Sequence, residues 1–331
     1  MISTLDLVCS PIPNGRAKDV MLNEEAVQLL RTSDFYMIGG RGEAKFSGFR
    51  LVEADLLEFE ISVLGGCVGS GGIRISRIPS LKDVEEGSKV GIRYGEEFIS
   101  FVLLEDGGQE TMLAAFGTED VLWRRGRREP FIEGFDNHLE LACYDLLYVG
   151  IATETDSYSR LIQKGHTARQ QILSDEPQRY PGARVTDEIF LMLFRAEPLL
   201  IKSWGAEDEI EVSDIQMTYS NERLVKDAEK AFISVLRPPY NKQLYSNYPK
   251  GKDGNFSVGY TGYSYSLSDG LALRTAFGSM KGAREEYMTM SNDADFISIK
   301  GDSVTLRIAG ADQDLDASNP FSGSVTGSHR D

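Results

Sequence analysis

Five side chains in the middle of this 331-residue chain are of types that, gathered around one phosphate, could hydrolyse a phosphodiester: Tyr148, Arg160, His166, Glu229 and Asn241. Such a reaction needs an activated water, donors that neutralise the developing charge, and help for the departing oxygen. Hard Mg²⁺ keeps several of its waters and needs only one or two protein carboxylates, so Glu229 alone suffices as its ligand, with Mn²⁺ as the alternative ion. Such an ion acts as a Lewis acid on a phosphate oxygen and stabilises the leaving group. Arg160 presents a planar fork of donors, fixed in charge, to the non-bridging oxygens. A tyrosine relays the proton of the attacking water if neighbouring cations lower its pKa. His166, six residues after Arg160, titrates near neutrality and could accept that proton. Asn241 suits orienting the glutamate and its loop better than touching substrate. Arg169, Lys242 and Tyr144 are the candidates for further substrate contacts. Each residue has a plainer reading: Tyr148 as an amphipathic strand residue, Arg160 and Glu229 as exposed helix positions, His166 after a glycine break, and Asn241 as turn chemistry.

The elements that must position these residues are legible from periodicity. An apolar run over 146–152 predicts the strand that carries Tyr148, and a helical pattern over 158–173 carries Arg160 and His166. Residues 189–194 suit a buried strand. A second helix over 222–236 places Val225, Ala228, Phe232 and Val235 on one face and is stopped by Pro238-Pro239, with Glu229 one position past the stripe. Strands interleaved with helices imply a compact α/β domain. The segment before it reads as strands, at 57–63, 90–94 and 98–104, with turns at 95–97 and 106–108 and one short helix over 24–30 capped by Asn23. Strand patterns return at 263–267, 271–273, 296–299 and 304–308. The expected organisation is therefore α+β: a β-rich segment 1–125, a central domain 126–254, a β-rich region 255–310 and a polar, flexible tail 311–331.

Here the order of motifs matters. Tyr148-Val149-Gly150 closes a strand, Ser159-Arg160-Leu161 opens a helix, Glu229 lies on a later helix, and Pro238-Pro239-Tyr240-Asn241 follows it. Residues 136–250 thereby resemble the GIY-YIG nuclease superfamily, found in certain homing endonucleases, restriction enzymes and excision-repair incision enzymes. The resemblance implies that Tyr148-Val149-Gly150 stands for the second motif, Tyr-Ile-Gly, and Arg160 for the helix arginine. It implies that Glu229 is the metal-binding glutamate and Asn241 the asparagine of the closing Pro-x-x-Asn turn. The implied core is a small antiparallel sheet flanked by helices, and the implied activity a Mg²⁺-dependent endonuclease with DNA ahead of RNA as substrate. Restriction or defence against foreign DNA is a fold-level association. The family's first motif, Gly-Ile-Tyr, is absent from 139–145, where Tyr144 is the tyrosine that could replace its own. That departure motivates the alternative, a catalytically degenerate member that binds nucleic acid or protein. The β-rich flanks would then select a substrate or hold a protein partner.

Composition narrows the classes. Lys and Arg number 35 against 51 Asp and Glu, a net charge of −16, which argues against a large sequence-independent DNA surface but not against a local basic cleft. Arg124, Arg125, Arg127 and Arg128 form the concentrated basic tract, read as a solvated linker or as phosphate contacts. The glycine-rich stretch 65–72 lacks the Gly-Lys-Ser/Thr ending of a phosphate loop and suits bulges between strands. Three scattered cysteines give no disulfide framework and fit a reducing cytoplasm. No apolar run is long enough to span a membrane, and the N-terminus has no basic-then-apolar leader.

Overall fold

The computed structural model describes residues 1–331 apart from 86, 106, 107, 205–217, 312–314 and 317–331. It is a mixed α/β structure with several sheets. Among the described residues the largest sheet has eleven strands. Its main members are β1 (Ile2–Leu7), β2 (Phe35–Gly40), β3 (Cys143–Ile151), β4 (Ile189–Leu199), β5 (Tyr263–Leu267), β6 (Ala272–Thr275), β7 (Gly278–Lys281), β8 (Phe296–Lys300) and β9 (Ser303–Arg307). They lie in the order β7-β6-β3-β2-β4-β1-β5-β8-β9. Neighbours are antiparallel except β1 with β5 and β3 with β6.

The centre of this sheet is apolar on both faces, which is why 189–194 reads as a continuous run: Ile189, Leu191 and Leu193 enter one core, Phe190, Met192 and Phe194 the other. The first core is closed by helix α1 (Glu24–Leu30), whose N-cap Asn23 accepts from the Ala26 amide at 3.0 Å, and by later helical turns. The second is closed by a long helix, Asn221–Leu236. There Ser220 caps the start, the stripe Leu224, Val225, Ala228, Ala231 and Phe232 is buried, and Arg237 at φ 48° ends it before the two prolines. Phe232 meets Phe35 of β2 edge-on, centroids 5.8 Å apart. From the same helix the buried Asp227 accepts from Tyr265 Oη (2.7 Å), Tyr248 Oη (2.9 Å) and the Asn255 amide (2.9 Å), tying β5 to the helix.

The expected division into 1–125, 126–254 and 255–310 does not hold. The large sheet takes β1 and β2 from the first segment, β3 and β4 from the second and β5 to β9 from the third. Periodicity identifies strands but not their partners, so a β-rich stretch looked self-contained. What does stand apart in sequence is the excursion 41–142 between β2 and β3. It forms a four-stranded sheet (44–52, 56–63, 68–74, 132–134), a three-stranded sheet (89–94, 98–104, 110–117) and helix α2 (Thr118–Gly126).

Other expectations meet local corrections. The helix expected over 158–173 is two pieces, a π-helical turn at Ser159–Gln163 and helix α3 (Thr167–Asp175), parted at Gly165, whose φ of +74° lies in the left-handed region. The basic tract is neither linker nor free phosphate surface. Arg127 is paired with Asp6 and Asp269, both at 2.8 Å, Arg128 bridges to Glu285, and Arg125 donates to the Gly134 carbonyl. In the glycine-rich stretch, Gly71 lies where a Cβ would fall 2.3 Å from the Phe135 ring, a packing role. The three cysteines are free. Part of the 106–108 turn, at 106 and 107, and nearly all of the 311–331 tail lie outside the described residues.

Candidate active site: a tyrosine pair, a histidine, an arginine and a glutamate

On β3 the pairing with β2 shifts register between Leu146 and Tyr148. This β-bulge decides which tyrosine faces which way. Tyr144 and Leu146 point into the core under the long helix, whereas Leu147 and Tyr148 both turn to the opposite face. Tyr144 is consequently no substrate residue: it is 1% exposed, its hydroxyl donating to Glu119 at 2.5 Å and accepting from Arg41 at 3.2 Å. Spacing of four positions on a strand predicts a shared face, and the extra residue of the bulge reverses that.

The tyrosine that accompanies Tyr148 is Tyr36, on β2. Gly150 is paired opposite Tyr36, and the two phenol rings stack with centroids 6.2 Å apart. A side chain at 150 would destroy the arrangement, because a Cβ there would lie 2.6 Å from both Cζ and Oη of Tyr36 and 2.8 Å from Tyr148 Cε1. His166, the residue preceding α3, completes an aromatic triangle: its ring is 5.3 Å from Tyr148 and 5.7 Å from Tyr36, and its Nε2 is hydrogen-bonded to Tyr36 Oη at 3.1 Å. Gly150→Ala is expected to push the phenols apart and lower stability by about 1–3 kcal/mol, the usual cost of overpacking. A urea titration would show this, with the NMR titration of His166 moving toward its ordinary value. An unchanged His166 signal would contradict the packing argument.

Arg160 comes from the π-helical turn, where Asp156 accepts from the Ser159 amide (2.7 Å) and hydroxyl (2.9 Å). Such turns insert one residue and recur at functional sites. Glu229 comes from the long helix, whose stripe packs on the face opposite the tyrosines. It reaches them past an open edge: β6 pairs with β3 only over Cys143–Asp145, so the second half of β3 has no strand neighbour on that side among the described residues. The chain after the helix covers this edge. Tyr240 donates its amide to the Leu147 carbonyl (3.1 Å), and Asn241 clasps Val149 by both backbone groups, Oδ1 accepting at 2.9 Å and Nδ2 donating at 2.8 Å. Asn241 therefore acts as a surrogate strand neighbour that fixes Tyr148, and it touches the strand rather than the reacting centre.

Electrostatics show the convergence. Burial pushes the Glu229 carboxyl up to about 7, with the positive charges of Arg160 and Lys230 opposing. Burial, then the Glu229 charge, raises Tyr148 while Arg160 pulls it down. Tyr36 is raised by burial, by Tyr148 and by Glu229, again opposed by Arg160. His166 is lowered by burial and by Arg160, so it is neutral at pH 7. The expectation of a tyrosine with a depressed pKa is thus reversed: one arginine does not outweigh desolvation and a carboxylate. The group able to accept a proton at pH 7 is the neutral imidazole. Arg160 is exposed and Glu229 half-buried, and neither side chain has a hydrogen bond or ion pair with the described residues.

Two expected contacts are otherwise engaged or peripheral. The Arg169 guanidinium donates to Asn14 Oδ1 (2.6 Å) and to the Leu161 carbonyl (2.9 Å), bracing the π-helical turn. Lys242 is exposed beside the Asn241 clasp. Sequence reading missed Tyr36 and also Tyr245, which burial and then the charges of Glu229, Asp253 and Tyr148 raise to about 12, placing it at the same cleft. The strand over 35–40 was not among the expected elements, and neither was its pairing across the sheet.

No protein-family model matches the chain, and neither a curated protein nor a solved structure matches it significantly.

Proposed function

We propose that the protein is a metal-dependent endonuclease with a GIY-YIG-like core, acting on DNA ahead of RNA. The observation that carries this reading is the meeting of Tyr36, Tyr148, Arg160, His166 and Glu229, supplied by two strands, a π-helical turn, the residue before α3 and a long helix. In this reading Tyr36 is the tyrosine that the family's first motif would provide, separated from its partner strand by the excursion 41–142. That supports the resemblance where its weakest point lay.

Each residue then has a task. Arg160, without a hydrogen bond or ion pair among the described residues, binds the non-bridging phosphate oxygens. Water aligned by the Tyr148 hydroxyl passes its proton through the phenol pair to Nε2 of the neutral His166, bonded to Tyr36 at 3.1 Å. Glu229 would hold Mg²⁺ or Mn²⁺. Among the described residues no three His, Cys, Asp or Glu side chains are gathered into a cage, and an unpartnered carboxylate fits a hard ion that retains its waters. When bound, such an ion supplies Lewis-acid stabilisation of the phosphate and of the departing oxygen. Lys242, at the rim, would meet the backbone of the nucleic acid. The overall charge of −16 confines attraction to this cleft, so binding should weaken with salt only as steeply as a few phosphate contacts require. Restriction or defence remains an association of the fold type.

The test is cleavage of supercoiled plasmid, single-stranded DNA and RNA with Mg²⁺ or Mn²⁺, with chelated controls. Metal-dependent nicking is expected, reduced about 10²- to 10³-fold in Arg160→Ala, as when an oxyanion donor is removed. Binding that proceeds without any nicking in either metal would overturn the reading in favour of a catalytically silent nucleic-acid-binding protein.

A further inference from the structure

Away from the tyrosine cluster, a hollow of about 450 Å³ lies where the N-terminal loop and α1 meet the excursion and the turn before β4. That volume is in the range of small-molecule sites. Its walls mix apolar side chains, among them Ile12, Leu29, Leu30, Phe98 and Phe190, with polar and charged ones. None of the five cleft residues lines it.

The polar groups in the hollow are mostly committed to one another. Arg16 pairs with Glu97 at 2.7 Å and lies 4.0 Å above the Phe98 ring. Glu119 is bound by Arg41 and Tyr144. Asp120 accepts from Ser10 Oγ (2.6 Å) and from the Gly117 amide (3.0 Å). Two carboxylates remain. Asp187 has a single long contact, from Thr186 Oγ1 at 3.4 Å, and Glu43 has no side-chain hydrogen bond or ion pair with the described residues. Lys45, the cation that acts most on Glu43, is itself bridged to Glu96 at 3.1 Å. Asp187 is also fixed in place: a Cβ on Gly15 would fall 2.4 Å from its Oδ1, so the loop backbone is pressed against the carboxylate. Arg184 is the one lining cation left without an ion pair among the described residues, so the uncommitted charge of the hollow is negative.

Two carboxylates acting on each other beside the apolar side chains of the hollow are best satisfied by a cation that also brings an apolar body. We infer that this hollow is a binding site for a small organic amine, its ammonium group received by Glu43 and Asp187 and its apolar part by Ile12, Leu30 and Phe190. The inference is independent of the nuclease reading, and its test needs no cleavage.

The full chain is titrated calorimetrically with tryptamine, with tryptophol as the neutral analogue and with indole-3-acetate as the anionic one. Tryptamine is expected to bind and to raise the melting temperature, at least tenfold more tightly than either analogue. Glu43→Gln with Asp187→Asn should weaken tryptamine at least tenfold while leaving circular dichroism and plasmid nicking unchanged. The single variant Glu43→Gln should show a smaller loss, and it serves if the double variant does not fold. Equal binding of the three ligands, undiminished tryptamine binding in a folded variant, or no tryptamine binding to the native chain would each overturn the inference.

Discussion

Glu229→Gln is expected to lose metal-dependent nicking by three orders of magnitude or more and yet to be more stable than the native protein above neutral pH. The carboxyl is raised to about 7 in the folded protein because burial disfavours its charge more than Arg160 and Lys230 favour it. Unfolded, the same group titrates near 4.5. Below that value it is protonated in both states and carries no net effect. Between 4.5 and 7 the unfolded chain has already released the proton that the folded protein still holds, so stability falls as pH rises through that window. Above 7 the loss is complete. Glutamine does not titrate, so the variant should match the native protein near pH 4 and exceed it at pH 8 by on the order of 1–3 kcal/mol, given partial solvent access. Divalent metal should narrow the gap by stabilising only the native protein. A metal ion held by Glu229 must also displace its proton, so nicking at limiting metal should fall about tenfold per pH unit below 7. Urea titrations at pH 4 and pH 8, with and without Mn²⁺, and nicking assays between pH 5 and pH 8 check each part. Full nicking by the variant would remove the mechanism, and a pH-independent stability difference would remove the electrostatic account of the site.

How much of this was legible in the sequence depends on which interactions are local. The long helix announced itself through Val225, Ala228 and Phe232, and its stop through Pro238-Pro239; it is observed at Asn221–Leu236. The strands 57–63 and 263–267 were visible by alternation of apolar with polar residues. Arg160 and Glu229 could be named as candidates through the order of motifs in the resemblance, and His166 through its titration near neutrality. Tyr36 could not be joined to them, because no periodicity says that residue 36 pairs across a sheet with residue 150 when an excursion of two further sheets intervenes. The choice of Tyr144 failed for a local reason, the bulge at Leu146–Tyr148, which alternation cannot detect. The basic tract failed for a chemical one: arginines look like a nucleic-acid surface until their carboxylate partners, Asp6, Asp269 and Glu285, are found far away in sequence. Length and pattern therefore specified elements, while the site is defined by pairings between distant segments.

That dependence on distant pairing makes Arg41 the residue whose loss should damage the fold most. It follows directly on β2, and its guanidinium is 5% exposed. It donates to the Leu141 carbonyl at 2.7 Å and to Tyr144 Oη at 3.2 Å, and it pairs with the buried Glu119. It thus clamps the first residue of the excursion to its last turn, just where β2 and β3 must be brought side by side for Tyr36 to face Tyr148. Arg41→Met keeps much of the volume but leaves Glu119 buried without its cation, which should cost about 3–5 kcal/mol, as for other buried pairs broken on one side. Part of that cost is the stranded charge. Adding Glu119→Gln to Arg41→Met should therefore recover a substantial share, since a neutral amide can still accept from Tyr144. Nicking should fall in Arg41→Met only as far as unfolding explains, and should return with the second substitution, because neither residue belongs to the cleft. Urea titrations of the two single variants and the double variant measure the coupling. A cost for Arg41→Met within about 0.5 kcal/mol of zero, the range of ordinary surface changes, would mean that the excursion closes without this clamp and that the tyrosine pair is held by the sheet alone.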